Sequence, residues 1–397
     1  MLRKHDEIIT DYPSVKPPSP FGFHTFSAIN FIPDYYAYKL INDFKLFRDK
    51  GGTESKEIEI IINNKKKHQN EYDVVYYGRK GLVWRIRPVH RRGDSYINYA
   101  DLFSVEAVIT PKIFMGIDDY ITSATLIDLE GIDVKFNYEA TCISPILGTF
   151  SDYEINRCDY CINFDLKKLN TPFTLKDQMN IFHRADIPHH YKLGGKYSGT
   201  SHRFVPYKDS YYLSSKSVNI NTYCKYHQLE TKDPSNPSLD DALHIIRFEV
   251  QCMARKIYPM KRRLKEAGVT TIDMLRMILS EENCRKVICD YFNRVIMPGD
   301  YYTLDLARQS VKRMGYSKSK EDRLILALEL VNHYRGIAKA KATLNGRDLD
   351  CFRQSLRDLT GIGINPVTIP RNFNIKVSQG LLDVQINGVR GYGGINS

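Results

Sequence analysis

No apolar run in this chain approaches the roughly 20 residues that cross a bilayer, so a membrane is not expected as a partner. The opening stretch, Met1 to Asp11, mixes charges and lacks the apolar centre of a signal peptide, which predicts a cytoplasmic protein. P-loop, G-x-G-x-x-G and H-E-x-x-H patterns are all missing, so nucleotide hydrolysis and zinc-protease chemistry have no anchor. Of 8 cysteines, only Cys158 and Cys161 have C-x-x-C spacing. They fall in a predicted strand, where positions three apart face opposite ways, so neither a zinc chelate nor a disulfide is expected. Without a secretory signal the thiols are read as reduced. Internal repeats are absent.

What is there is an ordinary globular composition. Hydrophobic residues make up 42% and charged residues 26% of the 397, enough to bury a core. The length favours more than one domain. Lysine and arginine number 57 against 46 acidic residues, a net charge of +11 that suits polyanions or anionic surfaces without choosing between them.

The chain divides by pattern. Residues 1–70 read as an extended arm, carrying Pro13, Pro17, Pro18 and Pro20, then a helix over Asp34 to Phe47 and a polar connector with the Lys65-Lys66-Lys67 run. Residues 71–255 are β-rich, with strands expected over Tyr72 to Val89, Ala100 to Thr110, Asn156 to Phe164, Phe204 to Leu213, Ser217 to Tyr226 and Ala242 to Met253. A helix over Leu175 to His183 is expected to pack on them. From 256 to 368 the apolar spacing turns helical, punctuated at Gly268, Pro298-Gly299, Gly315 and Gly346. Residues 369–397 read as a short β-like tail with an unordered, Gly-rich finish. The fold class is therefore α+β: a central antiparallel sheet with helices on one face, followed by a mostly helical C-terminal domain.

Ser217 to His227 reads as one strand, whose alternation places Asn219, Asn221, Tyr223, Lys225 and His227 on one face. A tyrosine hydroxyl is a poor nucleophile at its ordinary pKa of about 10, and a neighbouring ammonium or metal ion favours the phenolate. A solvated strand face is the bland alternative. Three carboxylates also lie in strands with polar neighbours: Asp159 beside Arg157, Glu249 beside Arg247 and Gln251, and Glu106 ahead of Thr110-Pro111. Converging from adjacent strands they could hold a hard cation such as Mg²⁺, and taken singly each Arg/acid pair could simply brace the sheet. Arg255, Lys256, Lys261, Arg262, Arg263 and Lys265, interleaved with Tyr258, form either a phosphate-tracking helix or a solvated one. His189-His190 fits a surface loop better than a metal site.

These residues have a familiar order. Tyr223-Cys224-Lys225, the linker Asp233 to Pro237 and Ile246-Arg247-Phe248-Glu249 resemble the gene II replication initiators of filamentous phages. The Arg157-Cys158-Asp159 strand, the Val105-Glu106 strand running to Pro111, and Gly363-Ile364-Asn365-Pro366 extend the likeness over roughly residues 70 to 370. The same ordering is similar to the plasmid rolling-circle initiators, whose Y-x-G-S stretch appears here blurred as Tyr212-Leu213-Ser214-Ser215.

The resemblance implies an enzyme that nicks and rejoins one DNA strand through a 5′-phosphotyrosine. In it Tyr223 is the nucleophile and Lys225 its electrostatic partner. Asp159, Glu249 and Glu106 hold Mg²⁺ or Mn²⁺, and Arg157, Arg247, Arg255, Lys256, Arg262 and Arg263 contact DNA. Tyr211, Tyr212 and Tyr226 are rival nucleophiles. The implied partner is supercoiled or single-stranded origin DNA in a bacterial cytoplasm. Whether the helical half meets DNA, a host helicase or another copy of the chain stays open, as does the oligomeric state. The alternatives are a non-catalytic DNA-binding protein of the same fold, a tyrosine recombinase, whose tyrosine sits in a helical region with an arginine and histidine set, and a scaffold.

Overall fold

The computed structural model describes residues 19–50, 58–62, 72–76, 81–89, 102–117, 121–197 and 204–390. Pro13, Pro17, Pro18, the Lys65-Lys66-Lys67 run and the end of the Gly-rich finish lie outside the described residues.

Strands are numbered β1 (Phe21–Pro33), β2 (Ile58–Ile62), β3 (Tyr72–Tyr76), β4 (Leu82–Pro88), β5 (Leu102–Ile109), β6 (Glu154–Asp165) and β7 (Lys192–Leu193). There follow a separate hairpin of β8 (Gly195–Tyr197) and β9 (Phe204–Pro206), then β10 (Ser210–Ser214), β11 (Val218–Cys224) and β12 (Ile245–Cys252). Ten of these form one sheet in the order β2-β3-β4-β5-β1-β6-β12-β11-β10-β7, with every pairing antiparallel.

Strict alternation decides which face each strand buries. In β5, Phe103, Val105, Ala107 and Ile109 are buried while the residues between them are not, and β4 does the same with Leu82, Trp84 and Ile86. Those apolar residues meet helices α1 (Asp34–Lys50) and α3 (Ile127–Ile143), reached after the short α2 (Pro111–Phe114). Trp84 lies 6.4 Å from the Phe44 ring of α1 and 5.0 Å from Phe136 of α3. After α4 (Leu175–Phe182), α5 (Lys225–Lys232) and α6 (Leu239–Ala242) come α7 (Ala254–Glu266), α8 (Thr271–Ile278) and α9 (Glu281–Val295). On that same face Phe292 of α9 packs between Phe164 of β6 and Phe248 of β12, at 5.6 and 5.1 Å. Each such ring is worth roughly 1.5–3 kcal/mol of burial.

The chain continues as β13 (Tyr301–Tyr302), α10 (Leu304–Arg313), α11 (Lys318–His333), α12 (Ile337–Lys341), α13 (Gly346–Gly361), β14 (Val377–Ser378) and α14 (Leu381–Asn387). The fold is thus an α+β unit around an antiparallel sheet followed by a mostly helical C-terminal region. Helices α7–α9 pack on the sheet, whereas residues from Tyr301 to Ile369 share a second buried cluster with Phe173 and Ile181.

Three sequence expectations change. The proline-bearing arm becomes, from Phe21, the central strand β1, because Phe21, Phe23, Phe26 and Ala28 are buried in the main core. The strand expected over Ser217 to His227 ends at Cys224, and Lys225 opens α5. The tail past residue 369 carries a helix, α14, whose Leu381 and Leu382 reach the main core.

Candidate active site on the open face of the sheet

The face turned away from the helices is polar. Asp159 of β6 pairs with Thr25 of β1 on one side and Gln251 of β12 on the other. Glu249 stands between Cys161 and Asn221, and Arg247 between Asn163 and Tyr223. Tyr212 of β10 faces Asn221. Alternation along β6, β10, β11 and β12 therefore gathers Asp159, Glu249, Arg247, Tyr223 and Tyr212 on one surface.

Tyr223 Oη donates to Glu249 Oε1 at 2.6 Å. Tyr223 is only 5% exposed. Burial, followed by the Glu249 charge, holds its phenol well above the ordinary tyrosine value, so the hydroxyl keeps its proton. Arg247 is fully buried and donates through Nε to Asn163 Oδ1 at 2.7 Å and through Nη2 to the Ile121 carbonyl. Its Nη1 has no hydrogen-bond acceptor among the described residues, and Glu249 Oε1 lies 3.9 Å away. A buried, charged N–H without an acceptor is costly, and here only the Glu249 charge offsets it.

Arg157 grips Asp159 through two hydrogen bonds, Nε to Oδ1 at 2.8 Å and Nη2 to Oδ2 at 2.5 Å. The pair pulls in two senses. Arg157 stays charged because Asp159 outweighs its burial. At Asp159 burial is the largest effect and, with the Glu249 charge, outweighs Arg157, lifting the carboxyl to about 6. The bidentate geometry keeps the pair together at neutral pH.

Lys225 leaves the strand and lies over the Tyr223 ring. From the first turn of α5 its Nζ lies 5.8 Å from the Tyr223 ring centre and donates to Gln228 Oε1 at 2.6 Å. Burial, then Arg247, pushes its pKa down, which weakens it as a source of positive charge. Tyr211 is buried on the helix-covered side, donating to the Asp186 carbonyl, and Tyr226 is on α5, bonded to Glu230. Tyr212 is half-buried on the polar face, where Arg157 and Asp159 act on it.

Glu106 stands apart. It lies on β5, separated from β6 by β1, accepts from Ser27 Oγ at 2.7 Å and faces Arg85 and Arg87 at 3.7 and 4.0 Å. Among the described residues no three His, Cys, Asp or Glu side chains gather as a metal cluster. The Glu249 charge helps raise the Asp159 pKa, but both Asp159 oxygens are engaged by Arg157 and Glu249 Oε1 by Tyr223. Mg²⁺ needs only one or two carboxylates and keeps several waters, so an ion on this face would have to share these oxygens with Arg157 and Tyr223.

The basic residues of α7 lie on the helix-covered side with Ile257 in the core, away from the carboxylates. Lys261 and Lys265 are tied to Glu154 at 2.7 and 2.6 Å, Arg262 faces Glu266 at 3.5 Å, and Lys256 covers the Tyr291 ring. Arg255 and Arg263 are exposed. Cys158 and Cys161 are both free and lie on opposite faces, as their spacing requires.

Two features had no signal in the sequence. A β-bulge between Phe23 and Thr25 inserts His24, half-buried among the charges of Arg247, Lys225, Lys232 and Arg157. Burial first, and those cations next, hold His24 neutral. A strap, residues 121–124, crosses the Tyr223 end of the face: Ile121 O accepts from Arg247 and Asn163, Ser123 Oγ lies 3.1 Å from Cys161 Sγ, and Ala124 bridges to Phe23. The strap lies close because Gly22 is beneath it; a Cβ there would come 2.4 Å from Ala124 O.

Fold and face together describe an antiparallel-sheet protein with two tyrosines, two carboxylates and two arginines gathered on the side away from the helices. Neither a protein-family model nor a curated protein matches the sequence. Among solved structures, one described as a rolling circle replication initiator protein from Geobacillus stearothermophilus aligns with 62% of this chain and 79% of its own, at 9% identity and a TM-score of 0.26. So distant a likeness assigns no chemistry.

Proposed function

We propose that this chain is a rolling-circle replication initiator, which nicks one DNA strand through Tyr223 and later rejoins it. The observation that supports this is the cluster in which the Tyr223 hydroxyl donates to Glu249 while a buried Arg247 N–H has no hydrogen-bond acceptor among the described residues beside them. The order of these residues along the chain, similar to that of phage and plasmid initiators, agrees with it.

In this reading Tyr223 Oη attacks the phosphorus as Glu249 Oε1 takes its proton. The bond to the 3′-oxygen breaks, and that oxygen takes a proton from water to leave a 3′-hydroxyl beside the 5′-phosphotyrosine. Arg247 Nη1 donates to a non-bridging oxygen, offsetting charge that grows in the transition state. Asp159 and Glu249 would hold a magnesium or manganese ion, which when bound polarises the phosphate. The phosphotyrosine retains the energy of the broken bond, so rejoining needs no nucleotide. Arg157, on the rim of the face, steers the phosphate backbone toward it. Tyr223 is buried, so cleavage requires the cover over its hydroxyl to open.

The test is purified protein on supercoiled DNA carrying its own replicon, with Mg²⁺ or EDTA, as wild type and Tyr223→Phe. Nicked circles with protein on the 5′ end, lost in the variant and in EDTA, are expected. Nicking that survives Tyr223→Phe moves the nucleophile to Tyr212 or Tyr226. The burial of Tyr223 favours a second reading, a non-catalytic DNA-binding protein of the same fold. Tight binding by the wild type without nicking would establish it.

A further inference from the structure

A cleft of about 700 Å³ opens where α4, the turn before β10, the start of α5 and α12 meet. It belongs to the helix-covered side of the sheet. Cys224 lines it, and alternation along β11 turns Cys224 away from the polar face that carries Tyr223. The cleft and the candidate active site can therefore be engaged at the same time by different molecules.

Its walls come from the two parts of the core. Met179 and Ala185 on one wall belong to the main cluster, whereas α12 on the other joins the second cluster through Ile337 and Ala340. Ile337 N donates to the Arg184 carbonyl at 2.9 Å and Lys341 Nζ to Asp186 Oδ2 at 2.5 Å, which fixes the spacing between them. The cleft is thus preformed.

Its rim is positive and not neutralised. Lys176, Lys208, Arg335 and Lys339 line it, all exposed, and none has a carboxylate within ion-pair distance among the described residues. Asp209 alone is acidic among the described residues of the wall, and it faces His227 at 4.0 Å. Cations gathered around a concavity focus a positive field into it. Arg335 is moreover set against a like charge: burial, and after it the Arg335 guanidinium, lowers the pKa of Arg184. Its backbone has a φ of 55°, the left-handed conformation in which glycine or asparagine is usual. A side chain that meets an anion in the cleft explains an arginine at so strained and repelled a position.

The floor is apolar, with Leu175, Met179 and Ile187, and the Tyr207 ring stands at its edge. We infer that this cleft docks an acidic peptide segment of a partner protein, which sets carboxylates against the rim and buries an apolar side chain on the floor. The sign of the rim selects an acidic occupant. The floor selects one with large apolar side chains over a bare polyanion, and Met179 adapts to their shape. Cations borne by α4, the turn before β10, the residue before Gly336 and α12 match carboxylates spread along a chain better than a single point anion. The site stands whether or not Tyr223 cleaves DNA.

The experiment is fluorescence anisotropy of the full chain with a short labelled peptide of aspartates around a leucine and a phenylalanine, at low salt. One comparison peptide carries asparagine for aspartate, the other serine for leucine and phenylalanine. Each is expected to bind at least roughly 10-fold more weakly than the parent. Lys208→Glu/Arg335→Glu/Lys339→Glu is expected to weaken the parent peptide by a similar factor. Arg255→Glu/Arg262→Glu/Arg263→Glu, with the same change of net charge, is expected to keep the wild-type affinity. No saturable binding of the parent, equal losses in both variants, or a serine peptide that binds as tightly as the parent overturns the inference. An oligothymidylate that displaces the labelled peptide at lower concentration than the unlabelled peptide does also overturns it, in favour of a nucleic-acid site. The peptide comparisons use the unaltered protein, so they decide the outcome even if the cleft variant fails to fold.

Discussion

Tyr223 and Arg247 stand directly opposite each other on β11 and β12, and Arg247 Nη1 lies 3.9 Å from the Glu249 oxygen that accepts from the tyrosine hydroxyl. Glu249, one residue along the same face, takes the hydroxyl's hydrogen bond. The three form a small buried polar network, in which each member fixes the others.

Glu249→Gln keeps an acceptor for Tyr223 but cannot take its proton. Nicking is expected to fall by roughly 10³-fold, close to the loss in Tyr223→Phe, with circular dichroism unchanged. If Glu249→Gln nicks at the wild-type rate, Glu249 is neither base nor metal holder.

Asp159 makes stability depend on pH in the less common sense. Its folded pKa of about 6 lies above the ordinary carboxylate value, so between these the folded state binds more protons than the unfolded. Its favourable contribution is complete below about pH 4 and is lost as pH rises through 6; roughly 2 units at 1.36 kcal/mol each give about 3 kcal/mol. The melting temperature of the wild type, minus that of Asp159→Asn, should therefore fall from pH 4 to pH 7. A difference that rises over that range contradicts the assignment.

Magnesium should reverse part of that loss. At pH 7.5 the ion relieves the repulsion between Asp159 and Glu249, and saturation at 100 times Kd stabilises by about 2.7 kcal/mol. The melting temperature should climb with Mg²⁺ in the wild type and stay flat in Asp159→Asn/Glu249→Gln. Equal shifts in both proteins place the ion elsewhere.

Gly22→Ala tests the strap. The added methyl would sit 2.4 Å from Ala124 O and 2.8 Å from Ser123 Cβ, so the strap must lift. A cost of about 1–3 kcal/mol is expected, with faster amide exchange over residues 121–124 than in the wild type. Exchange that stays as slow as in the wild type means the strap does not depend on this close approach.

Much of the face was legible because a strand's period of two is simple to read. Arg157/Asp159, Arg247/Glu249 and Asn219/Asn221/Tyr223 share the faces that alternation gives them. The helices on one face followed too. Lys225 was misplaced because nothing local marks the end of β11; its side chain is drawn inward by α5 starting there. β1 was hidden by the prolines before it, and its place is fixed only by partners in β5 and β6, far along the chain. His24 depends on a bulge, and the burial of Arg247 on the strap, both products of tertiary contact that no local pattern encodes.

The strand order also sets a sequence of events during synthesis. β1 is made first, yet its neighbours β5 and β6 come some 70 to 140 residues later, and β12, which carries Arg247 and Glu249, later still. Pairings of such separation are slow to form, because the loop must close before any contact rewards it. β12 then slots between β6 and β11, so the strand carrying Tyr223 has no inner neighbour until residue 252 has been translated. An unfinished chain on the ribosome therefore holds Tyr223 without Glu249 or Arg247 beside it, and the polar cluster on this face does not exist until β12 is in place.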